Sequence, residues 1–313
     1  MQCTNLDAPT MPAIASYQIP HLLGVVDYSK SKTLKPDGDT VHLFDPLLLV
    51  NNQVMQPKEG MFFVWVTGAI KPRVLEVKSS LGRNYVTVRL EGLDAPEEHY
   101  HSQAFKVKEK GKVTTYELGP KHGGEDRSQP LWKPATDHLV NTLQAAGHAL
   151  VMLDREVTDR YGRALGYVYS STPFGEKRDF ISLDLIKRGL VFPFLFESAG
   201  DLIPSFLDAA KTAKAAGLGV WKNYSHKPLT YTSSYPAPKH WNDPEPAAQQ
   251  KGKLNLPGVF RRIVDAHQLV GLKRDTALRK YDAMNYRTGD VLPGDKYHEI
   301  AVEDLIWAPH SFT

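Results

Sequence analysis

Short strand patterns interrupted and followed by three amphipathic helix patterns predict an α+β fold. The strands are few, brief and mostly alternating, which suits a small closed barrel of the oligonucleotide-binding (OB-fold) type with helices at one end. A proline-rich break late in the chain then sets off a small, mainly helical C-terminal module.

Taken in order, residues 1–20 read as a tail. Strand patterns follow in HLLGVVDY (21–28), TVHLF (40–44), MFFVWVTGAI (61–70), RVLEVKS (73–79), YVTVRLEGL (85–93), HALVMLD (148–154) and ALGYVY (164–169). Most alternate or are rich in β-branched and aromatic residues, which fit a pleated, half-buried surface. Helix patterns cover 132–147, 179–190 and 204–221. Pro228, Pro236, Pro238, Pro244 and Pro246 lie among Ser, Thr, Asn and Gln, so 225–254 reads as a linker in which a compact fold is not expected. Helical spacing resumes over 257–284: Pro257 suits a first turn, Phe260, Ile263, Val264, His267 and Val270 recur every three or four residues, and Gly271 interrupts or ends the helix. HEIAVEDLIW (298–307) reads as a strand and a short element packing back on that helix. The expected organisation is a tail (1–20), a domain (21–224) with insertions near 46–80 and 99–130, a linker (225–254) and a C-terminal module (255–313).

With 313 residues, 42% of them hydrophobic, the chain is long enough to bury an ordinary core. It has no run of about 18 apolar residues to span a bilayer, and its first residues lack the basic start and apolar stretch of a secretory signal. The expectation is therefore a cytoplasmic protein with no membrane partner. Cys3 is the only cysteine, which excludes an intramolecular disulfide and a cysteine-rich zinc site. The net charge of +3 is uneven: residues 250–280 carry eight Lys/Arg against two Asp, leaving the remainder at −3.

The chemistry concentrates in two segments, VRLEGLDAPEE (88–98) and DRYGRALGYVY (159–169). In YVTVRL, alternation sends Val86, Val88 and Leu90 to the core and Tyr85, Thr87 and Arg89 to the other face. Asp94 and Glu97 follow on a turn in which Pro96 holds Ala95 extended. A DRYG turn, with Asp159 and Gly162 in hairpin-turn positions, delivers Arg163 to the start of another strand. Guanidinium forks bind phosphate oxygens bidentately and stay charged at any relevant pH. A third segment, KPDGDTVHLF (35–44), adds Asp37 and Asp39 in a tight turn before a strand, where a carboxylate suits a hard divalent cation. Singly, each is an ordinary surface ion pair or hairpin turn. It is their joint occurrence that points to cutting a phosphodiester.

As a set, DGDTVHL, VRLEGLDAPEE, DRYGRALGYVY, LIKRGLVF and AAKTAKAAGLGVW, in that order, resemble the staphylococcal nuclease (thermonuclease) family over roughly residues 21–221. The resemblance implies a five-stranded OB-fold barrel with three helices that hydrolyses DNA and RNA, normally with Ca²⁺, other divalent ions being possible. By the same resemblance Asp39 and Asp94 are metal ligands and Ala95 lends a backbone carbonyl. Arg89 and Arg163 clamp the phosphate, Glu97 acts as general base or orients the attacking water, and Arg160 and Tyr161 contact a nucleotide phosphate.

Several features depart from that pattern. Forty-nine residue positions separate Asp39 from Arg89, where compact relatives have about a dozen. Either 46–80 is an excursion between two barrel strands, or RVLEVKS is the true preceding strand, which would put Pro72 near the metal-binding aspartate's place. We favour the first, because the match includes the strand after the turn. The insertion at 99–130, with KVKEKGKV, reads as a solvated hairpin or a substrate flap, and His99 and His101 lack partners at metal-ligand spacing. Phe194 and Phe196 stand where relatives carry tyrosines, as stacking or core residues. Arg261, Arg262, Lys273, Arg274, Arg279 and Lys280 form a phosphate-binding face, the charged outer face of a helical pair, or a contact for a protein partner or self-association. The two function classes are thus a nuclease acting on DNA and/or RNA, and a catalytically inactive nucleic-acid or protein-binding module.

Overall fold

Alternation and β-branched content put these strands where the sequence expects them; the patterns at 40–44, 148–154 and 164–169 run on into longer strands, while those at 21–28, 61–70 and 73–79 give strands that stop short of them. The computed structural model describes residues 19–29, 34–51, 53–66, 70–80, 82–101, 105–109, 112–116, 126–225, 229, 233–269 and 306–307; of 105–109, 112–116, 196–198, 262, 265–269 and 306–307 it describes the backbone alone. The first half holds β1 (His21–Val25), β2 (Thr40–Val50), β3 (Gln53–Met55), β4 (Met61–Val64), β5 (Arg73–Glu76), β6 (Lys78–Ser80), β7 (Arg83–Leu90) and β8 (Gly92–Asp94). There follow β9 (Phe105–Glu109), β10 (Lys112–Tyr116), β11 (Arg127–Ser128), α1 (Trp132–Ala146), β12 (His148–Thr158), β13 (Ala164–Ser171), β14 (Lys177–Phe180) and α2 (Ile181–Lys187). The remainder comprises β15 (Phe192–Phe196), α3 (Ile203–Ala215), α4 (Val220–Asn223), β16 (Tyr235–Pro236), α5 (Ala247–Gln250), α6 (Pro257–Leu269) and β17 (Ile306–Trp307).

The architecture is α+β. The main sheet runs β14-β13-β12-β1-β2-β7-β6, and β13 also pairs with β7, so the pairings of β12, β1, β2, β7 and β13 return on themselves. All of these are antiparallel except β13–β7, which is parallel with Leu165 opposite Arg89. On β7 the expected alternation holds: Val86, Val88 and Leu90 are fully buried, while Tyr85, Thr87 and Arg89 are half-buried. Helices α1, α2 and α3 close the core with Leu139, Leu143, Ile181, Leu185, Phe206 and Ala210.

The register settles the first insertion. Thr40 of β2 lies opposite Arg89 of β7, and Phe44 opposite Tyr85, so the DGDT turn leads into the strand beside Arg89. The alternative alignment fails, because RVLEVKS is split: Arg73–Glu76 is β5, paired with β4, while Lys78 and Ser79 begin β6, which pairs with β7 only over Arg83–Tyr85 and does not reach Arg89. The described parts of residues 46–80 thus comprise the end of β2 with β3 paired to it, the β4–β5 pair, and β6 on the other side of β7. In the second insertion β9 and β10 form a hairpin.

One C-terminal expectation changes. Residues 233–256 contain only short elements, as their prolines require, but they are packed: Leu254, Gln249, Asn255 and Glu245 are buried, and β16 pairs with β11. Side-chain amides supply the hydrogen bonds that regular structure would otherwise provide, as Gln249 Nε2 does by donating to Gln129 O (2.9 Å) and Ser128 Oγ (2.8 Å). Strand β17 pairs in parallel with β15, Leu195 opposite Ile306; the rest of the predicted 298–307 element lies outside the described residues. Helix α6 begins at Pro257 as expected. Residues 270–284 of the predicted helix lie outside the described residues, as do Lys273, Arg274, Arg279, Lys280 and the Cys3 tail.

Candidate active site

Three chain segments meet at one end of the main sheet. The first is the turn Asp37–Thr40, whose ends exchange backbone hydrogen bonds of 2.9 and 3.1 Å. Gly38 is required there by close approach: an added Cβ would lie 2.7 Å from Ala95 Cβ and 2.8 Å from Ala135 Cβ. The turn is thereby pressed against the buried Ala95 and against α1. The second segment runs from Arg89 to Glu97 and the third is the β12–β13 turn. The amide of Leu90 donates to Asp39 O (2.8 Å), which ties the first segment to the second immediately after Arg89.

The side chains form an alternating string of charges. Arg89 Nη2 lies 3.2 Å from Asp39 Oδ2 and 3.2 Å from Asp94 Oδ1, so one guanidinium bridges both aspartates. Arg261, from the second turn of α6, lies with Nη2 3.4 Å from Asp94 Oδ2 and donates through Nη1 to Glu97 Oε1. The order in space is Asp39, Arg89, Asp94, Arg261, Glu97. Arg163 flanks the string at its Asp39 end, with Nη1 3.4 Å from Thr40 Oγ1. Asp159 aims Arg163 by accepting its backbone N–H at Oδ1 (3.0 Å) and its Nε at Oδ2 (2.7 Å). On the same turn Arg160 donates to Tyr161 Oη (2.7 Å), and both arginines lie over the exposed Tyr161 ring. The structure thus brings Asp39, Arg89, Asp94, Glu97 and Arg163 together, with Ala95 behind them and Arg160 and Tyr161 at the rim.

Electrostatics follow from burial. Burial opposes ionisation of Asp39, and Arg89 and then Arg163 more than offset it, holding that carboxyl below the ordinary carboxylate range. Among the described residues Asp37 has no such partner; burial and then the charges of Asp39, Glu98 and Glu97 push it well above its usual value, against the Gly38 N–H that its Oδ1 accepts (2.7 Å). Glu97 is pushed up to about 7 by burial, which outweighs the opposing pull of Arg261. Glu91, also buried, is likewise raised to about 7 by burial, with Arg89 opposing. Desolvated carboxylates in this density attract cations, and at present guanidinium groups meet that demand.

Whether the group could hold a divalent cation depends on its donors. Those at hand are all hard oxygens, as Ca²⁺ requires, with two carboxylates already converging on one Arg89 nitrogen. Among the described residues no three His, Cys, Asp or Glu side chains stand together as a ready metal set. The donor chemistry fits, while Arg89 and Arg261 sit between the carboxylates. His99 and His101 face Glu98 (3.3 Å) and Asp126 (3.5 Å), respectively.

Arg261 is the site residue that sequence reasoning misplaced. It stood there among the basic residues of an outer or nucleic-acid-binding face, whereas burial of its neighbours Phe260 and Val264 rolls it toward the carboxylates. No spacing signal relates it to Glu97, 164 positions away. Gln129 was also missed: its Oε1 accepts the Glu97 N–H (3.0 Å) and its own N–H donates to Glu97 O (2.8 Å). The FPF run meets the site through its backbone, Phe192 of β15 pairing opposite Asp94 of β8. Phe192 itself is core, Phe194 is half-buried, and the Phe196 side chain lies outside the described residues.

Comparison with known families agrees with the part of this geometry that follows Arg89. Residues 87–223 match the family model described as staphylococcal nuclease homologue. The chain therefore carries a staphylococcal-nuclease-like domain over those residues, containing Arg89, Asp94, Glu97 and Arg163. Asp39 falls before the matched segment, so its membership rests on the Thr40–Arg89 register. No curated protein matches the chain. No helix among the described residues is long and apolar enough to cross a membrane.

Proposed function

We propose that this protein is a metal-dependent nuclease of the Ca²⁺ type, hydrolysing phosphodiester bonds of DNA and/or RNA by in-line attack of water on phosphorus. In this reading the closed ring of β12, β1, β2, β7 and β13 is the OB-fold barrel of the nuclease-like domain. The observation that carries the proposal is the convergence of Asp39, Arg89, Asp94, Glu97 and Arg163 from three segments, two arginines and three acids within one desolvated cluster. A purely structural ion-pair cluster of this size is a poor stabiliser, since desolvation costs offset much of the attraction.

Asp39, Asp94 and the Ala95 carbonyl would hold the cation. Once bound, Ca²⁺ supplies Lewis-acid polarisation of a phosphate oxygen. Glu97 receives or steers the proton of the attacking water while the bond from phosphorus to the leaving oxygen breaks. Arg89 and Arg163, on either side of Asp39, bind the charge that grows on the equatorial oxygens in the transition state. Arg160 and Tyr161, at the rim, are suited to a neighbouring phosphate of the strand.

One observation favours a non-catalytic binding module: Arg261 holds the carboxylates that a working site needs free. The two readings separate by incubating plasmid and single-stranded DNA with Ca²⁺, Mg²⁺, Mn²⁺ or EDTA, alongside Glu97→Gln. Cleavage that needs a divalent ion and drops by about 100-fold or more in Glu97→Gln is the expected result. Metal-independent or absent cleavage, in wild type and in Arg261→Ala alike, would leave the binding module.

A further inference from the structure

The carboxylates assigned to metal and water are already occupied by a residue of this same chain. Arg261 bridges Asp94 and Glu97, and it does so from a helix that is deliberately seated. The segment entering α6 is fixed by Asn255, which accepts from Gln129 Nε2 at its backbone oxygen (2.9 Å), donates Nδ2 to Ser225 O (2.6 Å) and accepts the Leu229 N–H at Oδ1 (3.1 Å). Gln129 also holds the Glu97 backbone, so one side chain anchors both the plug and the residue it plugs. Leu254 packs beside Phe192 and Val220, Phe260 meets the Tyr100 ring edge-on at 6.5 Å, and Val264 is fully buried. These contacts set the rotation of α6 that points Arg261 at the acids.

We propose that α6 is an autoinhibitory latch, with Arg261 as an internal cation that divalent metal must displace before the site can act. The proposal rests on the nuclease reading, because it takes Asp94 as a metal ligand and Glu97 as the partner of water. The latch carries its own release force: Arg89 Nη2 lies 3.2 Å from Asp94 Oδ1 and Arg261 Nη2 3.4 Å from Asp94 Oδ2, so two like charges stand on one carboxylate and repel. A divalent ion held by Asp39, Asp94 and the Ala95 carbonyl would add to that repulsion and satisfy the Asp94 oxygen that Arg261 would vacate. Binding of metal and seating of α6 are thus reciprocally coupled, each weakening the other by the same factor. Nucleic acid acts in the same direction, since a phosphate brought to Arg89 and Arg163 competes with the acids for guanidinium.

The test uses the full chain and CaCl2 as the probe. Calorimetry should show Ca²⁺ binding Arg261→Ala about tenfold or more tightly than wild type, within the usual range of coupling between sites. Hydrogen exchange in wild type should speed up across residues 257–264 when CaCl2 is added, and cleavage at sub-saturating Ca²⁺ should rise in Arg261→Ala. Phe260→Ala, which leaves Arg261 in place and loosens its seat, should shift Ca²⁺ affinity in the same direction by a smaller factor, and it serves if Arg261→Ala proves unstable without metal. Unchanged or weaker Ca²⁺ binding in both variants, or helix amides indifferent to CaCl2, overturns the latch. A fall in cleavage with tighter Ca²⁺ binding would make Arg261 a third phosphate-binding arginine and also overturn it. The affinity and exchange readouts need no turnover, so a latch that opens with Ca²⁺ in a protein that never cleaves DNA would refute the nuclease reading while sustaining the latch.

Discussion

Arg89 and Arg261 touch the same aspartate but reach it by different physics. Arg89 rides on β7, held between β2 and β13 by backbone ladders and by the fully buried Val86, Val88 and Leu90. Arg261 rides on a helix seated by a handful of side-chain hydrogen bonds from Gln129, Gln249 and Asn255 and by the apolar anchors Leu254, Phe260 and Val264. A ladder is cooperative, so Arg89 is held by many backbone bonds at once. A few hooks can be released one at a time, at roughly 1–3 kcal/mol each. Permanent parts of a site suit the first construction and removable parts suit the second.

The largest effect that tests this contrast comes from changing chemistry without moving the ladder. Arg89→Lys or Arg163→Lys keeps the charge and loses the planar fork, and each is expected to lower cleavage by about 100-fold or more with the fold intact by circular dichroism. Near-normal rates in either purified variant would remove that arginine from the phosphate clamp.

A smaller effect is expected where the DGD turn meets the site. Gly38→Ala places a methyl group against Ala95 and Ala135, and should cost about 1–3 kcal/mol in urea unfolding while weakening Ca²⁺ binding, because both Asp39 and Ala95 are displaced. Unaltered Ca²⁺ affinity would detach the turn from the metal site.

The second region offers a pH-dependent probe. Glu245, buried and accepting the Leu131 N–H at Oε1 (2.6 Å), is pushed up from 4.5 to about 7 chiefly by burial, with that hydrogen bond opposing. The folded protein therefore keeps a proton that the unfolded chain releases. Its contribution is present below about pH 4.5 and is lost as pH rises to about 7, by up to about 3 kcal/mol. Glu245→Gln retains the acceptor and removes the ionisation. Stability of wild type relative to Glu245→Gln should fall between about pH 5 and about pH 8 in urea melts, and parallel pH profiles would show that this contact does not sense its burial.

What could be read from the sequence divides along the same line. Alternation in YVTVRL placed Arg89 on its face, and the DGDTVHL match placed Asp39 in the turn leading into the strand beside it despite the long insertion; the Thr40–Arg89 register agrees with both. Period-two patterns are legible because every second residue repeats the same physical demand. Residues 233–256 gave no such pattern, and a proline-rich stretch without periodicity read as a linker. Its order comes from single amides such as Gln249 and Asn255, whose partners are more than 100 residues away in some cases and leave no local trace. Arg261 was hidden for a related reason: its role depends on which way Phe260 and Val264 roll the helix, and on a carboxylate pair from the other end of the domain.

The central claim, that the cluster around Asp94 is a hydrolytic centre held shut by Arg261, is tested most directly by plasmid cleavage at limiting Ca²⁺ in wild type, Arg261→Ala and Arg261→Ala with Glu97→Gln. The expected result is faster, EDTA-sensitive cleavage in Arg261→Ala and its loss when Glu97→Gln is added. Cleavage by the double variant at the rate of Arg261→Ala would contradict the claim.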